Sequence, residues 1–400
     1  MADGGPTANP GPADRLAHLI RREGPIPFDA FVAEALYGAG GFFASGRGAG
    51  RGIGGEQAAD FITSPEIGPV FGALVGVALD RWWDALEQPD PYLVVEAGAG
   101  RGRLASDVLR AGPECLRALR YVLVERSATL RDAQRGLVRL EPPDVAFGPF
   151  VAGPDAPEPV LGSGPVVTSL DELPGVEFEG VVVANELLDN LPFGIASFTG
   201  SRWAEVRVGL DDAGEFVETV VPAQPADEVA LVRATSGLSP AAGARLPIPR
   251  GIEDWLCAVA STLRRGYLVV LDTMDTAEGV LARGAGSDGW LRTYRGHAAG
   301  GSPLVDPGSR DIVADVVVEQ LRHAAADAGF VVAADTSQAA WLDALGLAAM
   351  VDDGRRIWEE RAAIGDLAAL EARSRATQAA ALTDPAGLGS HRVVVLTRGL

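Results

Sequence analysis

The stretch Tyr92–Arg110, YLVVEAGAGRGRLASDVLR, decides the fold. An apolar run closes on the carboxylate of Glu96, glycines follow at Gly98, Gly100 and Gly102, and a segment with helical spacing begins at once. A strand that turns through alternate glycines into a helix opens a βαβ unit that meets a nucleotide-type ligand. The glycines let the backbone turn tightly and come close to the ligand, and the first turn of the helix offers free N–H groups.

Moving outward, short apolar strands alternate with helical patterns: YVLVE, PVVTSL, GVVVANE, GYLVVLD, GFVVAADTS and the terminal HRVVVLTRG. With YLVVEA they make seven, and the alternation predicts a parallel sheet in an α/β fold. Ligands of such sheets sit beyond the carboxyl ends of the strands, so the residues there are the candidates. A dinucleotide loop of the form G-x-G-x-x-G would need a glycine where Arg103 stands, and here the third glycine arrives one residue early. The pattern E-x-G-x-G-x-G suits S-adenosyl-L-methionine instead, whose cationic methionine end a carboxylate can hold directly or through water. Glu125 ends the second strand, where a carboxylate can accept from both ribose hydroxyls. Leu170 and Asp171 end the third and are expected beside the adenine.

The fourth strand ends in Asn185, Glu186 and, slightly further on, Asp189. An amide with two carboxylates could orient a nitrogen nucleophile, and paired carboxylates are what a planar guanidinium calls for. Helix capping by Asn185 with Glu186 in the first turn is the plainer alternative. Thr63, Ser64, Pro65 and Glu66 mark a helix start, with a hydroxyl cap and a proline in the first turn, and an apolar helix is expected from there toward Leu86.

Composition sets outer bounds. Four hundred residues at 47% hydrophobic can bury a large core. A net charge of −20 argues against a nucleic-acid partner and against an anionic membrane surface, although a chain with no lysine at all carries a composition bias of its own. Cys115 and Cys257 lack metal spacing, and the histidines His18, His297, His323 and His391 are scattered, so no metal site is expected. The start MADGGPTANPGPADR has no signal-peptide order and no run reaches the length of a membrane span, which together point to the cytoplasm. The Gly-rich run Gly38–Gln57 lacks the Gly-Lys-Ser/Thr ending of a phosphate loop and is expected as a surface loop or lid. SFTGSRWAEVRVGLDDAGEFVETVVP alternates with period two around DDAG and predicts a hairpin inserted in the sheet's connectivity.

DFITSPEIGPVFGALVG, VVEAGAGRGRLASDVLR, YVLVERSATLRDAQ, VVANELLDNLPF, GWLRTYRGH, TSQAAWLDALGL and LTDPAGLGSHRVVVL occur in the order expected of the MidA family of S-adenosylmethionine-dependent methyltransferases, which the chain resembles from about Pro25 onward. The resemblance implies a Rossmann-like, seven-strand class I methyltransferase sheet with N-terminal helices and an inserted hairpin and loop subdomain. It also implies that Thr63 to Glu66 face the cofactor and that Asn185, Glu186 and Asp189 fall on the family's Asn-Glu-x-x-Asp block. Eukaryotic mitochondrial members methylate an arginine of a respiratory complex I subunit, so a protein substrate and arginine methylation are the implied activity. A non-catalytic assembly scaffold and a small-molecule methyltransferase are the alternatives. The chain departs from the family at Thr273 and Met274, where Tyr-Gly is usual. A second departure is Val313–Val318, VADVVV, which lacks the His and second Asp of the family's block. The expected organisation is a disordered tail over residues 1–13, a helical segment with the Gly-rich loop over 14–90, and a methyltransferase domain over 91–400 with insertions at about 197–250 and 275–310. The apolar excess of the helix after Pro65 would suit either a core or a homodimer interface.

Overall fold

The computed structural model describes residues 10–45, 63–147, 162, 164–283, 289–295 and 298–400. The first nine residues, the Gly-rich run beyond Ser45, and His297 lie outside the described residues. The chain divides into two compact units, one made of Phe61–Leu188, Trp255–Met274 and Ala325–Leu400, the other of Met1–Asp60, Asp189–Asp254 and Asp275–Ala324.

The first unit is built on one seven-stranded sheet. Its strands are β1 (Tyr92–Ala97), β2 (Leu119–Val124), β3 (Val166–Leu170), β4 (Phe178–Asn185), β5 (Leu263–Asp272), β6 (Val331–Ser337) and β7 (Arg392–Arg398). Across the sheet the order is β6-β7-β5-β4-β1-β2-β3. The neighbours from β3 to β5 pair in parallel, and every residue of β1 and β2 is buried, as strands covered on both faces must be. β7 runs antiparallel to both β5 and β6, so the sheet is mixed rather than wholly parallel as expected. The chain returns with β7 after the helices Leu347–Arg361 and Leu367–Leu382 and fills the place between β5 and β6.

The helix expected from Pro65 to Leu86 is interrupted. A single turn, α1 (Ser64–Ile67), precedes α2 (Pro69–Ala85), with Gly68 between them at φ +149°. Pro69 has no N–H to continue a helix and favours the first turn of a new one. Gln378 receives the exposed donor at Val70, its Oε1 accepting that N–H at 3.1 Å. Phe71, Leu74, Val75, Ala78 and Leu79 of α2 pack into the sheet unit's core, so the apolar excess of this helix is core. Two further helices, α3 (Arg103–Ala111) and α4 (Ala128–Gln134), follow β1 and β2 as their crossovers.

The second unit has its own core, which includes Phe28, Phe31, Trp203, Val208, Trp290 and Ile312. The predicted hairpin is present: Trp203–Leu210 pairs antiparallel with Phe216–Pro222, and Asp211 Oδ1 accepts the N–H groups of Ala213 and Glu215 across the turn. The two proline-separated N-terminal helices, Pro12–Glu23 and Phe28–Tyr37, belong to this unit, and Ile26–Pro27 between them pairs with Val208 and Arg207. The N-terminal helices and both insertions fall together in this unit. Arg250 shows why: its guanidinium reaches Asp29 at 3.0 Å, Glu205 at 2.7 Å and Asp227 at 2.6 Å, tying a helix near the N-terminus to the insertion. Among the described residues, no helix is long and apolar enough to cross a membrane.

Candidate active site in the sheet unit

The glycine turn after β1 has Gly98, Gly100 and Gly102 at φ +72°, +52° and +80°, a succession that side-chain-bearing residues rarely adopt. Gly98 and Ala99 donate to the carbonyl of Val124, which fixes the turn to the end of β2. A Cβ on Gly100 would meet nothing within 4 Å, so the turn presents bare backbone with room beside it.

Glu125 closes the turn from the next strand. Its Oε2 accepts from Gly100 N at 2.9 Å and its Oε1 from Ser127 N at 2.8 Å. Burial raises its pKa, and the two backbone donors together with Arg131 oppose that rise. Each carboxylate oxygen can still accept a further hydrogen bond, as a vicinal diol would require. Gln134, which sequence reasoning missed, bridges two strand ends. Its Nε2 donates to Gly100 O at 2.9 Å, and its Oε1 accepts from Ser169 Oγ at 2.6 Å, linking the turn to the end of β3. No local pattern marks this residue, because both of its partners come from other strands. Leu170 and Asp171 follow directly, Leu170 half-buried with its carbonyl accepting from Glu125 N, and Asp171 exposed.

Glu96, expected to hold the methionine end directly or through water, lies at the end of β1. It is only 5% exposed and accepts from Tyr121 Oη at 2.8 Å and from the N–H of Ala105 in α3. Burial pushes its pKa up to about 8, against the lowering effect of those two hydrogen bonds. Glu96 thus links β1, β2 and α3.

The blocks TSPE and NELLD converge. Ser64 N donates to Glu186 Oε1 at 3.0 Å, and Ser64 Oγ donates to Gln338 Oε1 at 2.9 Å. Thr63 and Pro65 are buried and Glu66 half-buried; Thr63 occupies the N-cap position of α1, but its side chain makes no capping bond. Glu186 has φ +52°, a left-handed backbone that is costly for a residue with a Cβ and concentrates at functional sites. The capping alternative for Asn185 is not what forms. The N–H groups of Leu187 and Leu188 go to Asp272 Oδ2 at 3.2 and 2.8 Å, so the end of β5 supplies the cap. Asn185 Nδ2 leans on Glu186 Oε1 at 3.3 Å, while its Oδ1 is buried without a partner among the described residues. This segment abuts the glycine turn, since a Cβ on Gly98 would come within 3.0 Å of Leu187 Cδ1.

Asp189 belongs to the second unit. Burial raises its pKa, Arg292 pulls it back down, and Asp315 raises it. The next residue, Asn190, donates to Asp311 Oδ1 at 3.0 Å, and its carbonyl accepts from Tyr37 Oη at 3.0 Å. Asp315, from the block that departs from the family, is buried and ion-paired to Arg283 and Arg292.

A seven-stranded sheet with this order, a glycine turn after its first strand and a carboxylate after its second define the methyltransferase class of Rossmann-like folds. A family model of S-adenosyl-L-methionine-dependent methyltransferases matches residues 74–335, and the chain belongs to that family. A protein of Burkholderia thailandensis solved bound to S-adenosyl-homocysteine superposes with a TM-score of 0.76 at 27% identity, over 97% of this chain and 92% of that one. Among curated proteins, the chain is 28% identical to the Drosophila melanogaster mitochondrial protein arginine methyltransferase NDUFAF7 homolog, over 79% of this chain and 70% of the relative. It is 31% identical to human NDUFAF7, over 49% of this chain and 44% of the relative.

The protein is an S-adenosyl-L-methionine-dependent methyltransferase. Its residues fit the cofactor: bare backbone at Gly100, a carboxylate at Glu125 and the N-terminal turn of α3 lie together in one unit. When bound, the cofactor supplies an electrophilic methyl group, and the chain's task is to hold and orient both reactants. Glu125→Ala removes an acceptor for the ligand and also frees Gly100 N from its anchor. The expected loss is about 2–3 kcal/mol of cofactor affinity, the range for charge-assisted hydrogen bonds. Calorimetric titration with S-adenosyl-L-methionine checks this, and an unchanged Kd would remove Glu125 from the cofactor site.

Proposed function

We propose that the methyl acceptor is an arginine guanidinium of a protein substrate, received by Glu186 with Asn185. The observation that carries this reading is Glu186 itself, a carboxylate on a left-handed backbone next to the glycine turn. Beside it, Asn185 Oδ1 is an acceptor with no donor among the described residues. A guanidinium carries five N–H donors in a planar fork and needs acceptors of this kind. The relatives named protein arginine methyltransferases support the same class of acceptor. Asp189, the third member of the Asn-Glu-x-x-Asp block, is proposed as a further acceptor-side carboxylate on the strength of that sequence pattern.

The test is methylation of a cell lysate and of arginine-containing peptides with isotopically labelled cofactor, followed by mass-spectrometric mapping of the modified residue. The expected product is methylarginine. Glu186→Gln is expected to lower turnover by about 100-fold, the scale of losing one electrostatic contact to the reacting group, while leaving the cofactor Kd within about threefold. Label found only on a small metabolite, or equal losses of turnover and cofactor affinity, would overturn the reading.

A further inference from the structure

The second unit contains a guanidinium that the reaction above does not use. Arg310 is 8% exposed. Its only hydrogen bond among the described residues is from Nη1 to the carbonyl of Gly300 at 3.3 Å, and its Nε is buried without a partner. Several other arginines of this unit are treated differently. Arg250 meets three carboxylates, Arg283 and Arg292 share Asp315, Arg207 meets Glu205 and Arg245 meets Glu218. In a chain with 54 acidic residues, no carboxylate among the described residues is brought to Arg310. Burying an uncompensated charge costs several kcal/mol on general grounds, and such a group persists where a ligand completes it.

The seat of this guanidinium is constructed. Gly300 and Gly301 have φ +116° and +94°, and Thr293 Oγ1 donates to both of their carbonyls, at 2.9 and 3.1 Å. A Cβ on Gly301 would lie 2.3 Å from Arg310 Nη1, so the turn leaves the space that the guanidinium fills. Arg310 immediately precedes the strand Asp311–Ala314, and Asp311 is the residue that holds Asn190, next to Asp189.

We propose that Arg310 is the receiving group of an anion site in the second unit, for a carboxylate or phosphate oxyanion carried by a ligand of this protein. The site is independent of whether the methyl acceptor is an arginine. A guanidinium with an unused Nε and Nη edge offers two parallel donors, which match either oxyanion in bidentate fashion.

The test is thermal unfolding of the full chain titrated with sodium phosphate and, separately, sodium acetate, at ionic strength held constant with sodium chloride. The parent is expected to show a saturable rise in Tm with at least one of them; saturation by phosphate alone or by acetate alone names the group. In Arg310→Gln the half-saturating concentration is expected to rise at least tenfold, while its Tm without either anion stays at or above the parent's, because the uncompensated charge is gone. Arg310→Lys, which keeps the charge but loses the fork, is expected to fall between the two. The proposal is overturned if neither anion gives a saturable rise, if Arg310→Gln responds as the parent does, or if both variants lose Tm equally with and without anion, since that would make Arg310 a structural residue.

Discussion

Gly180→Ala is expected to destabilise the sheet unit by about 4 kcal/mol or more, beyond the usual cost of an overpacked site. Gly180 lies in β4, paired with Leu93 of β1 on one side and Gly266 of β5 on the other. At φ +158°, its missing Cβ would stand 2.0 Å from the carbonyl oxygen of Leu93. The obstruction is main chain in the centre of the sheet, so no side chain can swing aside to relieve it. Relief would require moving β4 away from β1, and the register that places Glu96 and Asn185 at the ends of these strands would move with it. Gly266 repeats the arrangement one strand over, its missing Cβ 1.9 Å from the carbonyl oxygen of Gly180. The control is Gly175→Ala, at an exposed loop position where a Cβ meets nothing within 4 Å, expected within about 0.5 kcal/mol of the parent. Chemical and thermal unfolding followed by circular dichroism read both variants. A Gly180→Ala protein within about 1 kcal/mol of the parent would contradict this packing of the central strands.

The five parallel strands β1 to β5 were readable because buried parallel strands are continuous apolar runs, as VVVAN and YLVVLD are. The direction of the last strand was not. RVVVLTR has the composition of any covered strand, and only the path of the preceding helices decides that it returns antiparallel. The same division holds at the site. The glycine turn is local chemistry and is where the sequence puts it. Gln134 and Asp272 act through partners 34 and 84 or 85 residues away, so neither carries a local signature. The joining of the N-terminal helices to the insertion includes Arg250 reaching Asp29 across 221 positions of chain and Ile26 pairing with Val208, which periodicity cannot register. The break in the first long helix does carry a local signature: a Gly-Pro pair, Gly68 and Pro69, inside an apolar helical pattern is a stop and a restart.

Glu96 supplies the other large effect, and it appears as a pH dependence. Its pKa stands at about 8 in the folded chain against 4.5 for the free side chain, raised by burial. In the unfolded chain the carboxyl therefore ionises first. Below pH 4.5 both states are protonated and the group's contribution is fully present; as pH rises toward 8 the unfolded state gains its charge and the folded state does not, so stability falls until the folded pKa is passed. Each unit of separation corresponds to about 1.4 kcal/mol, which makes the total on the order of 5 kcal/mol. Glu96→Gln removes the titration. Its amide can still accept from Tyr121 Oη, but it offers an N–H group where Ala105 N requires an acceptor, a mismatch of about 1 kcal/mol. The two stability curves, measured without cofactor, are therefore expected to cross: the parent is the more stable near pH 4, and the variant is the more stable by pH 9. Parallel curves over that range would mean that Glu96 is already ionised in the folded protein. The carboxylate would then stand as a negative charge at the end of β1, available to the methionine end of the cofactor.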